Sequence, residues 1–209
     1  MSKNLKAEMY DKVNFMCRSY MDRIARFRLD YNFVPDEEIF KKALTSLYEK
    51  AEVFHSRFVN NPIAPYWQVC EYKIEDSLTF RESADIEKDA YDFLIKGVDI
   101  KDNTQMKIAV FYSGNYSAVC FRWNHMLIDG GGFKQFARDL FSAYNEIEKD
   151  GIVSTKFLTG SRSYTEVYKD FDKKTKKQAK MQILGNSAHE KKTLPFTKKS
   201  GKEENIIIF

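Results

Sequence analysis

The order of apolar and polar positions along the chain alternates between helix-type and strand-type spacing. Four segments carry apolar residues three and four positions apart, which predicts helices: residues 4–22, 34–51, 82–96 and 133–151. Residues 23–32 alternate apolar with mostly polar positions, which predicts a strand with one buried face. Residues 53–74 and 106–123 each hold two apolar runs around a turn, and Gly114-Asn115 is a strong hairpin signal. Helices mixed with antiparallel hairpins indicate an α+β layered domain.

Beyond Gly151 the pattern changes. Residues 163–181 have helical spacing, and the lysine-rich segment, residues 173–199, holds nine lysines and one acid. The chain closes on an apolar run, residues 206–209, which is typical of a strand. We therefore expect residues 1–160 to form the main domain. Residues 161–209 are expected to hold a helix, a lysine-rich loop and a terminal strand.

Composition narrows the class of protein. The chain has 209 residues, 43% of them hydrophobic, which is enough for one large domain or two small ones. A net charge of +4 does not favour nucleic acid, and the lysine-rich segment has no arginine and one aromatic residue, Phe196. No apolar window of membrane-spanning length and no signal-peptide pattern occurs, and the three cysteines lack metal-type spacing. These features predict a cytoplasmic protein with reduced thiols.

The candidate chemistry lies in residues 120–133, where an apolar run ends in Asn124-His125 and a helical pattern follows. Asp129 stands four residues after the histidine, and Gly130, Gly131 and Gly132 come next. A histidine at a strand end can take a proton from a hydroxyl, amine or thiol. The same spacing also fits half a metal site or an ordinary strand-to-helix turn, although the other two histidines, at positions 55 and 189, suggest no third ligand.

Residues 125–130, His-Met-Leu-Ile-Asp-Gly, resemble the His-His-x-x-x-Asp-Gly motif. That motif belongs to condensation domains of peptide synthetases and to relatives in the chloramphenicol-acetyltransferase-like superfamily. Residues 35–58, 93–110 and 163–168 resemble the family's flanking elements, so the resemblance covers roughly residues 10–175. It implies a two-layer sandwich in which a mixed, largely antiparallel sheet packs with helices. Only the N-terminal half of the family domain is matched, so residues 161–209 would lead toward a C-terminal half.

The resemblance assigns roles to individual residues. His125 takes the role of the general base, Asp129 is structural, and Gly130 permits a tight turn. Asn124 stands where the family has its first histidine, and His55 aligns with the family's usual arginine partner of the aspartate. Arg57, two residues further on, has the same strand parity and is the second candidate partner for Asp129.

Three further positions are expected to contact substrate together with Asn124. Trp123 shares strand parity with His125, so it either lines a cleft or packs in the core, which is the default for tryptophan. Gly131 and Gly132 precede a helix, whose free N–H groups favour a negative ligand group.

The implied activity is transfer of an acyl group from a thioester to an alcohol or amine acceptor. The thioester would be carried on coenzyme A or on the pantetheine arm of a carrier protein, as a co-substrate. No metal and no tightly bound cofactor are implied. The expected partners are the acyl thioester, a small acceptor, and a carrier protein or a missing C-terminal half. The alternative is a non-catalytic half-domain that binds a carrier protein or a small ligand.

Overall fold

The computed structural model describes residues 3–20, 22–154, 156–157 and 169–178. The chain is divided into two units, Met1–Tyr164 and Thr165–Phe209. The described part of the first unit contains seven strands, namely β1 (Asn4–Lys6), β2 (Ile24–Tyr31), β3 (Ser56–Val59), β4 (Tyr66–Val69), β5 (Leu78–Glu82), β6 (Met106–Ser113) and β7 (Tyr116–Asn124). Its four α-helices are α1 (Met9–Met16), α2 (Glu37–Lys50), α3 (Ile86–Leu94) and α4 (Gly130–Asp150).

The strands form two sheets. The smaller sheet has the order β1-β4-β3 and is antiparallel throughout. The larger sheet has the order β2-β7-β6-β5, and its one parallel pair is β5 with β6. This mixed, largely antiparallel sheet with packed helices confirms the predicted α+β class. The hairpin between β6 and β7 turns at Gly114, whose φ of +55° lies in the region that favours glycine.

Helices α2 and α4 cover one face of the larger sheet, and the main core lies between them and the strands. Helix α2 begins where the Asp36 carboxylate accepts a hydrogen bond from the Ile39 backbone N–H at 2.9 Å. Its buried residues fall on one stripe: Phe40, Ala43, Leu44, Leu47 and Tyr48. Helix α4 ends at Gly151, whose φ of +74° makes the left-handed cap typical of helix ends. Both helices were predicted from their spacing.

Helix α3 covers the opposite face of the larger sheet. Ile86 and Ala90 of α3 pack there against Phe111 and Cys120, which have the other strand parity from the main core. Burial raises the pKa of the Cys120 thiol to about 12, so this thiol stays protonated at neutral pH. Cys120 is therefore a packing residue under α3 and lies on the sheet face away from the main core.

Helix α1 buries the face that its sequence pattern would expose. The apolar stripe of Met9, Val13 and Met16 is exposed, with Met9 at 65% and Met16 at 72%. The buried residues of α1 are Asp11 and Asn14. Their burial is compensated by hydrogen bonds, since Asp11 accepts from the indole N–H of Trp67 at 2.9 Å.

Several predicted elements changed in extent. The helix predicted over residues 4–22 is divided into β1, α1 and a 3₁₀ turn at Cys17–Ser19, and β5 was not predicted. In the second unit, residues 173–178 form a short helix within the predicted helix 163–181. The predicted terminal strand 206–209 and most of the lysine-rich segment lie outside the described residues. No described helix is long and apolar enough to cross a membrane. The predicted division at residues 160 and 161 stays a prediction.

Candidate functional site

His125 lies one residue beyond the end of β7 and is half-buried. Its backbone N–H donates to the Arg23 carbonyl at 2.7 Å, which extends the β2–β7 ladder by one step past the Ile24–Asn124 pair. The imidazole Nδ1 forms a short hydrogen bond with the Tyr10 hydroxyl. Nε2 has no hydrogen-bond partner among the described residues. The sheet therefore fixes the backbone of His125, and Nε2 is the ring nitrogen that no described residue binds.

Asn124 shapes the turn that follows β7. Its side chain is 2% exposed, and its amide oxygen accepts from the Met126 backbone N–H at 3.1 Å. Its own backbone N–H and carbonyl pair with Gln105 and Leu127 at 3.0 and 2.8 Å. The Asn124 amide oxygen therefore stabilises the backbone turn, and this oxygen is not used to bind a ligand. The expected contact of Asn124 with substrate is therefore replaced by a structural role.

Trp123 is also part of the core, with 3% of its surface exposed. The indole ring stacks on Phe133 with ring centroids 4.2 Å apart and an interplanar angle of 10°. The indole N–H donates to the Ile128 carbonyl at 3.1 Å. Trp123 thus ties the end of β7 to the first turn of α4, and it does not line an open cleft.

Asp129 is the N-cap residue of α4. Its exposed carboxylate accepts from the Gly132 backbone N–H at 2.7 Å, which satisfies one free donor at the helix start. The two expected partners have other contacts: the Arg57 guanidinium donates to Gln68 at 2.8 Å, and His55 Nδ1 pairs with the Cys70 carbonyl at 3.0 Å. The pairing of Asp129 with Arg57 or His55 is therefore replaced by a helix cap, and Asp129 has no ion pair among the described residues.

The three glycines form the first turn of α4, and none of them has a positive φ. A Cβ atom built on Gly130 would have no neighbour within 4 Å, so the tight turn expected at Gly130 is absent. A Cβ on Gly132 would lie 3.3 Å from the Ile128 Cβ and 3.4 Å from the Asp129 carboxylate. Close approach therefore matters at Gly132, whose N–H is already used by the cap, and not at Gly130.

Tyr10 belongs to the site but was not predicted. It lies on α1, and its hydroxyl bonds to Nδ1 of His125. The centroids of the two rings are 6.0 Å apart. No periodicity distinguishes Tyr10, because its helix buries polar residues and exposes apolar ones. The contact joins positions 115 residues apart and could be found only from the fold. Among the described residues, no group of three or more His, Cys, Asp or Glu side chains could hold a metal ion.

The fold is that of solved condensation domains, as the resemblance implied. A double mutant of the starter condensation domain of rhizomide synthetase, solved with C8-CoA and Leu-SNAC, has a TM-score of 0.72 at 13% identity. The first condensation domain of the calcium-dependent antibiotic synthetase, solved with a substrate analogue, has 0.69 at 16%. The condensation domain of the monacolin K polyketide synthase has 0.66 at 12%.

Sequence comparison leads to the same group of proteins. Gramicidin S synthase 2 of Brevibacillus brevis and that of Aneurinibacillus migulanus are each 24% identical to the chain over 162 residues. The match covers 72% of this chain and 4% of either synthase. The three structural matches cover 89–92% of this chain and 44–49% of the solved chains. The chain thus spans about half the length of the solved condensation domains that it matches. No family model matches it.

Proposed function

We propose that the protein is an acyltransferase of the condensation type, with His125 as its general base. The observation that carries the proposal is the His125 ring, held at the exit of β7 with Nδ1 bonded to Tyr10 and with Nε2 bonded to none of the described residues. A general base needs a ring nitrogen that a substrate proton can reach. The condensation-domain fold supports the same class of reaction.

In the proposed reaction, Nε2 of His125 takes the proton of an acceptor hydroxyl or amine. The acceptor oxygen or nitrogen then forms a bond to the thioester carbonyl carbon, and the carbon–sulfur bond breaks. The departing thiolate takes the proton from Nε2, so the products are an ester or amide and a free thiol. His125 returns to its starting state, and no metal or redox partner is required.

The donor is proposed to be an acyl thioester on coenzyme A or on a carrier-protein pantetheine arm, bound only as a co-substrate. The rhizomide synthetase neighbour was solved with both C8-CoA and an aminoacyl thioester analogue. Since the chain spans about half of such a domain, we propose that a second polypeptide surface completes the site. That surface would be a C-terminal half or a second copy of this chain.

The test is an acyl-transfer assay on the 209-residue protein with C8-CoA and a panel of primary alcohols and amines. Release of the free thiol and formation of the acylated product are both measured. His125→Gln is expected to lower kcat by about 10²–10⁴-fold. His55→Gln is the matched control and should leave kcat unchanged. His55 contacts Tyr72 and the Cys70 carbonyl and does not contact His125. Measurable turnover by wild type that His125→Gln does not reduce would contradict the role of His125.

The second candidate is a half-domain that binds a carrier protein or a small ligand without turnover. The coverage of 44–49% of the solved condensation domains favours it, because the chain matches only about half of each of those domains. Titration calorimetry with C8-CoA separates the two candidates. Saturable binding without product in wild type supports this second function, whereas product that depends on His125 supports the first.

A further inference from the structure

We infer that Tyr10 is the positioning residue that sets the tautomer of His125, by accepting the Nδ1–H hydrogen at its hydroxyl oxygen. This inference rests on the proposed function, because only this tautomer leaves Nε2 able to act as a base, but the tautomer itself can be measured without any substrate. Tyr10 lies on α1, half-buried, and its hydroxyl meets Nδ1 directly. The two rings are inclined at 47° with centroids 6.0 Å apart, so the contact is between polar atoms and not a stack.

The Tyr10–His125 contact is one side of a closed circuit of hydrogen bonds. The His125 backbone N–H donates to the Arg23 carbonyl at 2.7 Å, and the Arg23 guanidinium donates to the Asn14 side-chain oxygen at 2.8 Å. The Asn14 side-chain N–H donates to the Tyr10 carbonyl at 2.9 Å, which returns to the starting residue. The circuit joins α1, the segment before β2, and the exit of β7. It fixes the distance between the Tyr10 backbone and the His125 backbone.

Asn14 is the joint of this circuit and is 4% exposed. Its amide uses the oxygen toward Arg23 and the nitrogen toward Tyr10. A buried amide with both ends bonded has one orientation, so α1 cannot rotate without leaving a polar group unpaired. The Tyr10 hydroxyl is therefore presented to Nδ1 by a rigid frame, which is the property that a tautomer-setting contact requires.

A neutral imidazole carries one hydrogen, on either Nδ1 or Nε2. If the hydrogen is on Nε2, the Tyr10 hydroxyl donates to Nδ1, and Nε2 cannot take a proton from the acceptor. If the hydrogen is on Nδ1, the Tyr10 oxygen accepts it. Only the second arrangement leaves the Nε2 lone pair free to take a proton. After proton transfer, the same Nδ1–H···O bond would stabilise the imidazolium.

The test is ¹⁵N NMR of the histidine rings in the 209-residue protein, in wild type and Tyr10→Phe. The His125 signals are assigned by their loss in His125→Gln. Wild type is expected to show a protonated Nδ1 and an unprotonated Nε2. Tyr10→Phe removes the acceptor and is expected to move the hydrogen to Nε2. Tyr20→Phe is the matched control from the same segment, because Tyr20 is 88% exposed, and it should leave the signals unchanged.

In the acyl-transfer assay, Tyr10→Phe is expected to lower kcat by about 10–100-fold with KM nearly unchanged, since a hydrogen bond to a charged group is lost. A wild-type His125 with its hydrogen on Nε2 would overturn the inference, whatever the activity. So would a Tyr10→Phe protein in which the Nδ1 hydrogen stays in place. A wild type with the expected signals, whose turnover is the same in His125→Gln, would contradict the proposed function and leave the tautomer assignment intact.

Discussion

Asp129 can stabilise the start of α4 either as a helix cap or through an ion pair, and two substitutions distinguish these roles. Asp129→Ala removes the carboxylate that accepts from the Gly132 N–H at 2.7 Å and leaves that donor without its partner. Loss of an N-cap typically costs about 1 kcal/mol, and loss of a negative charge at an exposed helix start costs about 0.3–1 kcal/mol. The free energy of unfolding should therefore fall by about 1.3–2 kcal/mol in Asp129→Ala.

Asp129→Asn is the matched control. Asparagine caps helices about as well as aspartate, so only the charge is lost, and the expected cost is about 0.3–1 kcal/mol. For a chain of this size, about 1 kcal/mol corresponds to about 2–4 °C in Tm. Asp129→Ala should therefore lower Tm by about 3–8 °C and Asp129→Asn by about 1–4 °C. Urea unfolding followed by far-UV circular dichroism gives the free energies directly, provided that both variants keep the wild-type slope.

The result that refutes this reasoning is an equal loss in the two variants. Equal losses would mean that the charge of Asp129, and not its capping oxygen, stabilises the turn. An ion pair of the kind expected from the sequence would then have to form in solution.

Four further predictions concern glycine and cysteine positions. Gly130→Ala should raise the free energy of unfolding by about 0.4–1 kcal/mol, because the site has open space and alanine is the better helix former. Gly132→Ala should be less stable than Gly130→Ala in urea unfolding, since its Cβ meets Ile128 at 3.3 Å, and the reverse order would contradict the packing. Cys120 should resist a thiol reagent at pH 8 while Cys17 and Cys70 react, and labelling of all three in native protein would refute its burial. Because the pKa of the Cys120 thiol is raised to about 12 in the fold, its contribution to stability should be lost as pH rises from about 9 to 12.

Periodicity predicted the elements whose burial follows the usual rule. Helices α2 and α4 and the β6–β7 hairpin each bury a stripe or face of apolar residues, so the sequence pattern and the fold agree. Strand β5 was missed because it is short and pairs in parallel with β6 across α3, and non-local pairing of this kind leaves no local signal. Helix α1 was extended too far because its polar face is the buried one.

In the candidate site, too, features that depend on neighbouring residues differ from features that depend on the fold. The strand-to-helix turn around His125 was predicted from local sequence. The cap at Asp129 was not predicted, although it depends on residues close in the chain, because the sequence interpretation gave Asp129 a partner on a distant strand. The role of His125 in catalysis stays a prediction. Tyr10 could not be found from local sequence, since its relation to His125 depends on buried hydrogen bonds of α1 with Arg23 through Asn14.

The hydrogen-bond circuit through α1 makes assembly of the site around His125 depend on the docking of this helix during folding. Strands β2 and β7 can pair and hold the His125 backbone while α1 is still detached, but the ring then lacks its Nδ1 contact. The closure between positions 10 and 125 spans most of the first unit, and contacts of such long sequence separation are slow to form. A local opening of α1 would therefore abolish the geometry at His125 while the sheets persist. Amide hydrogen exchange in α1 should accordingly report on the fraction of molecules with an assembled site.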